Sequence, residues 1–366
     1  MLLDFVPNQE RSFEAFLLRL ASLLNRHGWQ GVFVFSGEPS PAFAARLAQE
    51  QAQYRIVKFP LTQPQVEALI ESLKGLTPRV MTNTFLSCFS PYFLQIKKRL
   101  RVPYWIVHDQ SSGVASSKWG LKRLLAGLRG WYYGRHIDRV LAVSRFVAQR
   151  NIVGSHLPSE RVRILHNGVD LERFYPADDE SPARPVVVFV GQLIREKGAP
   201  TLLQALLLLR QRPAPLHPEV RIAGRGAMEP ELKAFAVSQR LDNVKFLGQV
   251  ADVPALFRSA TVVVVPSEWP EAFGFVVAEA MACGACVLAS DAGALPEVIG
   301  QDQSAGRLFR NGDAQDLARS LAELLENPAL RQRYRQQALA RARQHFALDG
   351  MASGFIEELN RLAPVR

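Results

Sequence analysis

TVVVVPSEWPEAFGFVVAEAMACGACVLAS, residues 261–290, reads as a strand, a loop, a helix and a second strand. Its valines run continuously instead of alternating with polar residues, as in a strand covered on both faces. The helix begins near Phe275, behind Gly274, and ends at Gly284, where CVLAS opens the next strand. Apolar strands separated by helices point to parallel sheets with helices on both sides.

The same alternation extends outward from this stretch. Upstream come the strand PVVVFVG (185–191), the helix TLLQALLLLRQ (201–211) and the strand EVRIAGRG (219–226). A helix at 230–240, the strand NVKFLG (243–248) and a short helix near 253–258 follow. In the first half, Phe13, Phe16, Leu17, Leu20, Leu23 and Leu24 recur at helical spacing ahead of the strand VFVFS at 32–36. YWIVHD (104–109), RVLAVS (139–144) and RVRILHNGVD (161–170) read as further strands, the last closing on the Asn167-Gly168 turn. Between them and the second half, LERFYPADDESPARP carries three prolines, an acidic run and no periodicity. The expected architecture is α/β: two Rossmann-like, doubly wound domains facing a central cleft. Residues 1–170 form the first domain, 171–185 a linker and 186–345 the second domain. The closing helix, 346–366, is expected to cross back to the first domain.

Composition narrows the function classes. With 366 residues, 48% hydrophobic and 21% charged, the chain has the make-up of a soluble globular protein large enough for two cores. No apolar run approaches the roughly 18 residues of a transmembrane helix, and MLLDFVP turns polar too soon for a signal peptide. A cytoplasmic protein, able to rest on the inner face of a membrane, is expected. Cys283 and Cys286 form a C-x-x-C, but with no second pair and no nearby histidine they read as small buried residues. The net charge of +10 is lopsided: residues 1–185 hold 24 Lys+Arg against 15 Asp+Glu, the remainder 20 against 19. An anionic lipid, a phosphate-bearing substrate or a nucleic acid would each suit such a basic first half.

The candidate chemistry lies at strand ends. In SEWPEAFG a loop leads into a helix start, where free N–H groups and a partial positive charge suit a diphosphate. Gly274 lets a ligand approach the backbone. Glu271 precedes that point and Glu279 follows it by about 7.5 Å along the helix. One ligand with a central diphosphate can meet both carboxylates with its hydroxyls. The competing reading is two solvated surface glutamates. GQLIREKG (191–198) turns tightly at Gly191 and sets Arg195 and Lys197 at the same sheet edge, as diphosphate partners or as a solvated basic loop. Gly224 and Gly226 in IAGRGAMEPEL are weaker evidence.

Taken in order, GQLIREKG, IAGRGAMEPEL, VKFLGQV, VVPSEWPEAFGFVVAEAMACGACVLAS and DAGALPEVI resemble the donor-binding domain of retaining GT-B glycosyltransferases, specifically glycosyltransferase family 4. LAVSRFV and RVRILHNGVDLERFYP in the first half are similar too. The resemblance implies a nucleotide-sugar donor, a glycan or lipid-linked acceptor bound by the first domain, and no resident cofactor or metal. It implies that Glu279 binds the donor ribose, while Glu271 contacts the transferred sugar and stabilises the transition state. Backbone groups around Phe273, Gly274, Phe275 and Val276 would hold the diphosphate, with Lys197 neutralising it and His108 facing the sugar from the first domain. No D-x-D pair for a divalent ion occurs. Two departures stand out: Gln192 occupies a position that is usually arginine, with Arg195 as the substitute, and MLLDFVPNQERSF lacks the glycine-rich loop expected after the first strand. A nucleotide-sugar epimerase on the same fold and a non-catalytic sugar-nucleotide binder are the rival readings.

SSKWGLKRLLAGLRGWYYGRHIDR (116–139) mixes Lys118, Lys122 and Arg123 with Trp119 and Trp131. Basic residues among interfacial aromatics are expected to touch an anionic membrane or the acceptor. The alternative is an amphipathic helix with a solvated cationic face. No nucleic-acid recognition module is present, so no nucleic-acid partner is expected.

Overall fold

The computed structural model describes residues 1–8, 11–113, 121–176 and 184–364, with backbone only for 121–124. The described residues form two compact units, Met1–Gly168 with Leu348–Arg366, and Val169–Ala347.

Unit 1 is built on a seven-stranded sheet: β1 (Leu2–Leu3), β2 (Val32–Phe35), β3 (Gln53–Ile56), β4 (Val80–Thr84), β5 (Tyr104–Asp109), β6 (Arg139–Ala142) and β7 (Val162–Ile164). Their order is β3-β2-β1-β4-β5-β6-β7, and every pairing is parallel. The helix Ser12–Arg26 buries Phe13, Phe16, Leu17 and Leu20 against the sheet and against the closing helix Leu348–Leu362. Phe16 and Phe355 meet edge to face at 6.0 Å, and Arg139 pairs with Glu358 at 2.8 Å. The division between units falls at Gly168 and Val169. Residues 171–176 of the expected linker therefore belong to unit 2, where Phe174 is buried 6.5 Å from Phe257. The acidic run that suggested a linker, 178–180, lies outside the described residues.

Unit 2 holds β8 (Val186–Val190), β9 (Glu219–Ala223), β10 (Val244–Gly248), β11 (Val262–Val265), β12 (Val287–Ser290) and β13 (Arg307–Phe309), ordered β10-β9-β8-β11-β12-β13 and all parallel. Both sheets are doubly wound. Each has one point where successive crossovers run in opposite directions, between β1 and β4 in unit 1 and between β8 and β11 in unit 2. The loops leaving such a pair diverge and open a crevice at the carboxyl ends of the strands.

Candidate active site

In unit 2 the crevice lies beyond Val190 and Val265. The chain leaving β8 makes a short 3-10 turn, Arg195–Lys197, and reaches Gly198 at φ +72° before the helix Ala199–Arg210. A Cβ on Gly198 would stand 1.7 Å from the Pro266 carbonyl oxygen, so glycine is the residue that lets the two loops touch. The loops are then laced together: the amides of Glu268 and Trp269 both donate to the Glu196 carbonyl, at 2.8 and 3.2 Å. Thr201 Oγ1 donates to Glu268 Oε1 at 2.6 Å.

That lacing delivers Lys197 to Glu271. Lys197 Nζ donates to Glu271 Oε1 at 2.6 Å, and Ser267 Oγ donates to the same oxygen at 2.7 Å. The Glu271 backbone is fixed as well, through a bridge to Gly293 and a hydrogen bond from Ala294 N at 2.9 Å. Ser290 Oγ, buried at the end of β12, donates to the Ser267 carbonyl at 2.6 Å. A carboxylate held at both backbone and side chain is positioned before any ligand arrives.

Three residues beyond Glu271 the helix Phe275–Ala282 starts at Gly274, whose φ is +99°. A side chain there would collide with Leu295 Cδ2 at 2.4 Å. The amides of Val277 and Ala278 return to the Gly274 carbonyl. Those of Phe275 and Val276 open the helix, where no carbonyl of the preceding turn exists to accept from them. Phe273 is buried, T-stacked on Phe275 at 5.6 Å and on Phe346 at 5.4 Å, which anchors the loop from below. Glu279 is half-buried on the same helix. Gly191 N donates to the Ala223 carbonyl at the end of β9 at 3.0 Å, and Leu193 N to the Arg225 carbonyl at 2.9 Å ties the loops after β8 and β9, while Gln192 and Arg195 are exposed. The structure thus brings Lys197, Glu271 and the Gly274 helix start to one sheet edge, with Arg195 on its surface. Ser267, Gly198, Glu268 and Ser290 were missed from sequence; the small residues flanking the acidic loop were the available signal.

His108, expected to face the sugar, sits at the end of β5 in a buried setting. It is 1% exposed, with the rings of Phe13, Phe16 and Phe355 at 6.5, 5.7 and 5.7 Å. Burial pushes its pKa down to about 4, so the ring is neutral at pH 7. Gln110 Nε2 lies 3.3 Å from His108 Nε2, and Gln110 is itself locked in a reciprocal amide pair with Asn167 at 2.5 and 2.7 Å. Donation from Gln110 puts the ring proton on Nδ1, facing Thr84 Oγ1 at 3.5 Å. A histidine at a strand end is here a packed polar anchor, because the three phenyl rings close over it. Cys283 and Cys286 are buried with pKa values pushed up to about 12 by desolvation, so neither is a reactive thiolate.

Of the basic aromatic segment, Lys118 and Trp119 lie outside the described residues, as do the side chains of Lys122 and Arg123. The helix Leu121–Gly134 turns Ala126, Gly130 and Gly134 inward and leaves Leu125, Leu128 and Trp131 more than half exposed. Arg135 lies over the rings of Trp131 and Tyr132, at 4.9 and 4.7 Å. No helix among the described residues is long and apolar enough to cross a membrane.

Comparison with known proteins gives this geometry a family. The profile of Glycosyltransferase Family 4 matches residues 13–173, and that of Glycosyl transferases group 1 matches residues 174–341. The chain is 29% identical over 280 residues to an MMP alpha-(1->4)-mannosyltransferase of Mycolicibacterium hassiacum, covering 73% of this chain and 67% of that one. It is 33% identical over 244 residues to the lipopolysaccharide core biosynthesis mannosyltransferase LpcC of Rhizobium leguminosarum bv. viciae, covering 62% and 66%. The chain spans about half to two thirds of the length of the curated relatives it matches. The crystal structure of Anabaena HepE in complex with UDP superposes with a TM-score of 0.77 at 20% identity, over 98% of this chain and 99% of that one. Two doubly wound units of this kind constitute the GT-B fold, and the chain belongs to glycosyltransferase family 4.

Proposed function

We propose that this chain is a retaining, metal-independent glycosyltransferase. It moves a sugar from a nucleotide-sugar donor held by unit 2 to a glycan or lipid-linked acceptor. The observation that carries the proposal is the convergence of Lys197, Glu271 and the helix start at Gly274 on the crevice between β8 and β11. When the glycosidic C–O bond of a donor breaks, the diphosphate leaves with the electron pair and its charge grows. Lys197 and the amides of Phe275 and Val276 are the groups that meet that charge, with Arg195 adding a second cation. Glu271, oriented by Ser267, accepts from sugar hydroxyls and faces the positive charge that develops at the anomeric carbon. Glu279 accepts from the ribose hydroxyls. A fold relative whose structure contains UDP supports a nucleoside diphosphate as part of the donor.

The acceptor is assigned to unit 1. Its basic excess and the exposed face of Leu125, Leu128, Trp131 and Tyr132 beside Arg129 and Arg135 fit peripheral contact with anionic headgroups on the cytoplasmic leaflet. The mannosyltransferase relatives support a sugar-bearing acceptor. Screening sugar nucleotides by thermal shift tests the donor assignment, because a ligand that binds only the folded state raises Tm. No shift with any nucleoside diphosphate sugar would remove it.

A further inference from the structure

Unit 1 has its own switch point, between β1 and β4. The polypeptide leaving those strands carries Phe5, two residues past Leu3, and Phe85, directly after Thr84, beyond the Leu3–Thr84 pair. Phe85 is unusual twice over. It is 38% exposed, and its φ is +60°, a left-handed conformation that bulky side chains avoid. A buried scaffold imposes it: Asn83 accepts from Trp105 Nε1 at 2.7 Å and donates to the Leu86 carbonyl at 2.9 Å, fixing the turn around Phe85. The ring packs edge to face on Phe13 at 4.9 Å and lies tilted beside Phe5 at 5.8 Å. Asp4, directly after β1, and Ser111, two residues after β5, are both exposed and follow the strands on either side of β4.

We propose that Phe85, backed by Phe5 and Phe13, is a stacking platform for a pyranose ring of the acceptor. This rests on the glycosyltransferase reading above and gives it an acceptor subsite. A pyranose presents a face of C–H bonds to the negative face of an aromatic ring, while its equatorial hydroxyls point sideways toward polar groups. An aromatic ring at the sheet's ligand-binding edge, with a carboxylate and a hydroxyl following the two adjacent strands, suits both features. Phe5, which backs the platform, follows the first strand, where the chain has Asp4-Phe5 and no glycine-rich loop.

Saturation-transfer NMR on the full chain tests this with methyl α-D-glucopyranoside, methyl α-D-mannopyranoside, methyl α-D-galactopyranoside and octyl β-D-glucopyranoside. Ring protons of at least one methyl glycoside should receive saturation. Phe85→Ala and Phe85→Leu should each cut the signal about fivefold, whereas Phe85→Tyr should keep it, as a π-face contact requires. An unchanged thermal melt for Phe85→Tyr and Phe85→Leu separates loss of the platform from loss of the fold. No transfer to any methyl glycoside, equal transfer in Phe85→Leu, or transfer confined to the octyl chain would each overturn the proposal. Nucleotide-sugar binding measured on the same samples reports separately on unit 2 and should be the same in all variants.

Discussion

Gly198 and Pro266 touch backbone to backbone: a Cβ on Gly198 would stand 1.7 Å from the Pro266 carbonyl oxygen. That contact lets the loops after β8 and β11 lie against each other, and the Lys197–Glu271 pair depends on it. Gly198→Ala should therefore lower the stability of unit 2 by about 3 kcal/mol, combining a left-handed φ with a backbone clash. Donor binding should fall with it. Chemical denaturation checks the first effect, and a value within 0.5 kcal/mol of wild type, about the scatter of neutral surface changes, would mean the loops separate freely.

The two glutamates should divide kinetically. Glu271 is held by Lys197 and Ser267 to meet charge that develops only during transfer, so Glu271→Ala should lower kcat about 100-fold with little change in donor KM. Glu279→Ala should raise donor KM about tenfold and leave kcat nearly unchanged, the signature of lost ground-state binding. Steady-state kinetics with varied donor checks both. Equal effects of the two substitutions on KM would erase the distinction.

Much of this arrangement could be read from the chain itself, and the gaps have physical causes. The valine-rich strands β8 and β11 and the helix after Gly274 follow from continuous apolar runs and one well-placed glycine. β4 escaped notice because VMTNT looks polar; Asn83 and Thr84 are nonetheless fully buried, and Asn83 is satisfied by the Trp105 indole and the Leu86 carbonyl. Buried polar residues break the hydrophobic pattern that marks a strand. β3 and β13 are absent from that reading too, being four and three residues long and at sheet edges. The surroundings of His108 were not legible either. The resemblance implies a ring that faces the sugar, but which side chains pack around it is not in the sequence: phenyl rings distant in the chain close over it, and spacing does not report such packing.

That burial has a pH consequence. The folded imidazole has a pKa near 4, against about 6.5 in the unfolded chain. Below pH 6.5 the unfolded chain takes up a proton that the folded chain refuses until about pH 4, so stability falls as pH drops through that window and is level above it. Between pH 7 and pH 5 the loss from this residue is about 2 kcal/mol. Urea denaturation at the two pH values should show that part of the slope disappearing in His108→Gln. A slope unchanged by the substitution would mean the ring is protonated while buried.

Membrane contact through the helix Leu121–Gly134 rests on its exposed side chains. Leu128→Glu combined with Trp131→Glu should reduce flotation with anionic vesicles about tenfold or more, since it removes apolar area and adds negative charge facing the lipid. Donor binding to unit 2 should be unaffected. Flotation equal to wild type, or none by wild type, would remove the membrane from the proposal.

The central claim is that the crevice between β8 and β11 holds a donor diphosphate against Lys197 and the helix behind Gly274. Calorimetric titration of wild type and Lys197→Ala with the sugar nucleotide that gives the largest thermal shift tests it most directly. Expected is a single site whose affinity drops about tenfold or more in Lys197→Ala, the cost of one charge-assisted contact to phosphate. Equal affinity in the two proteins would contradict the claim.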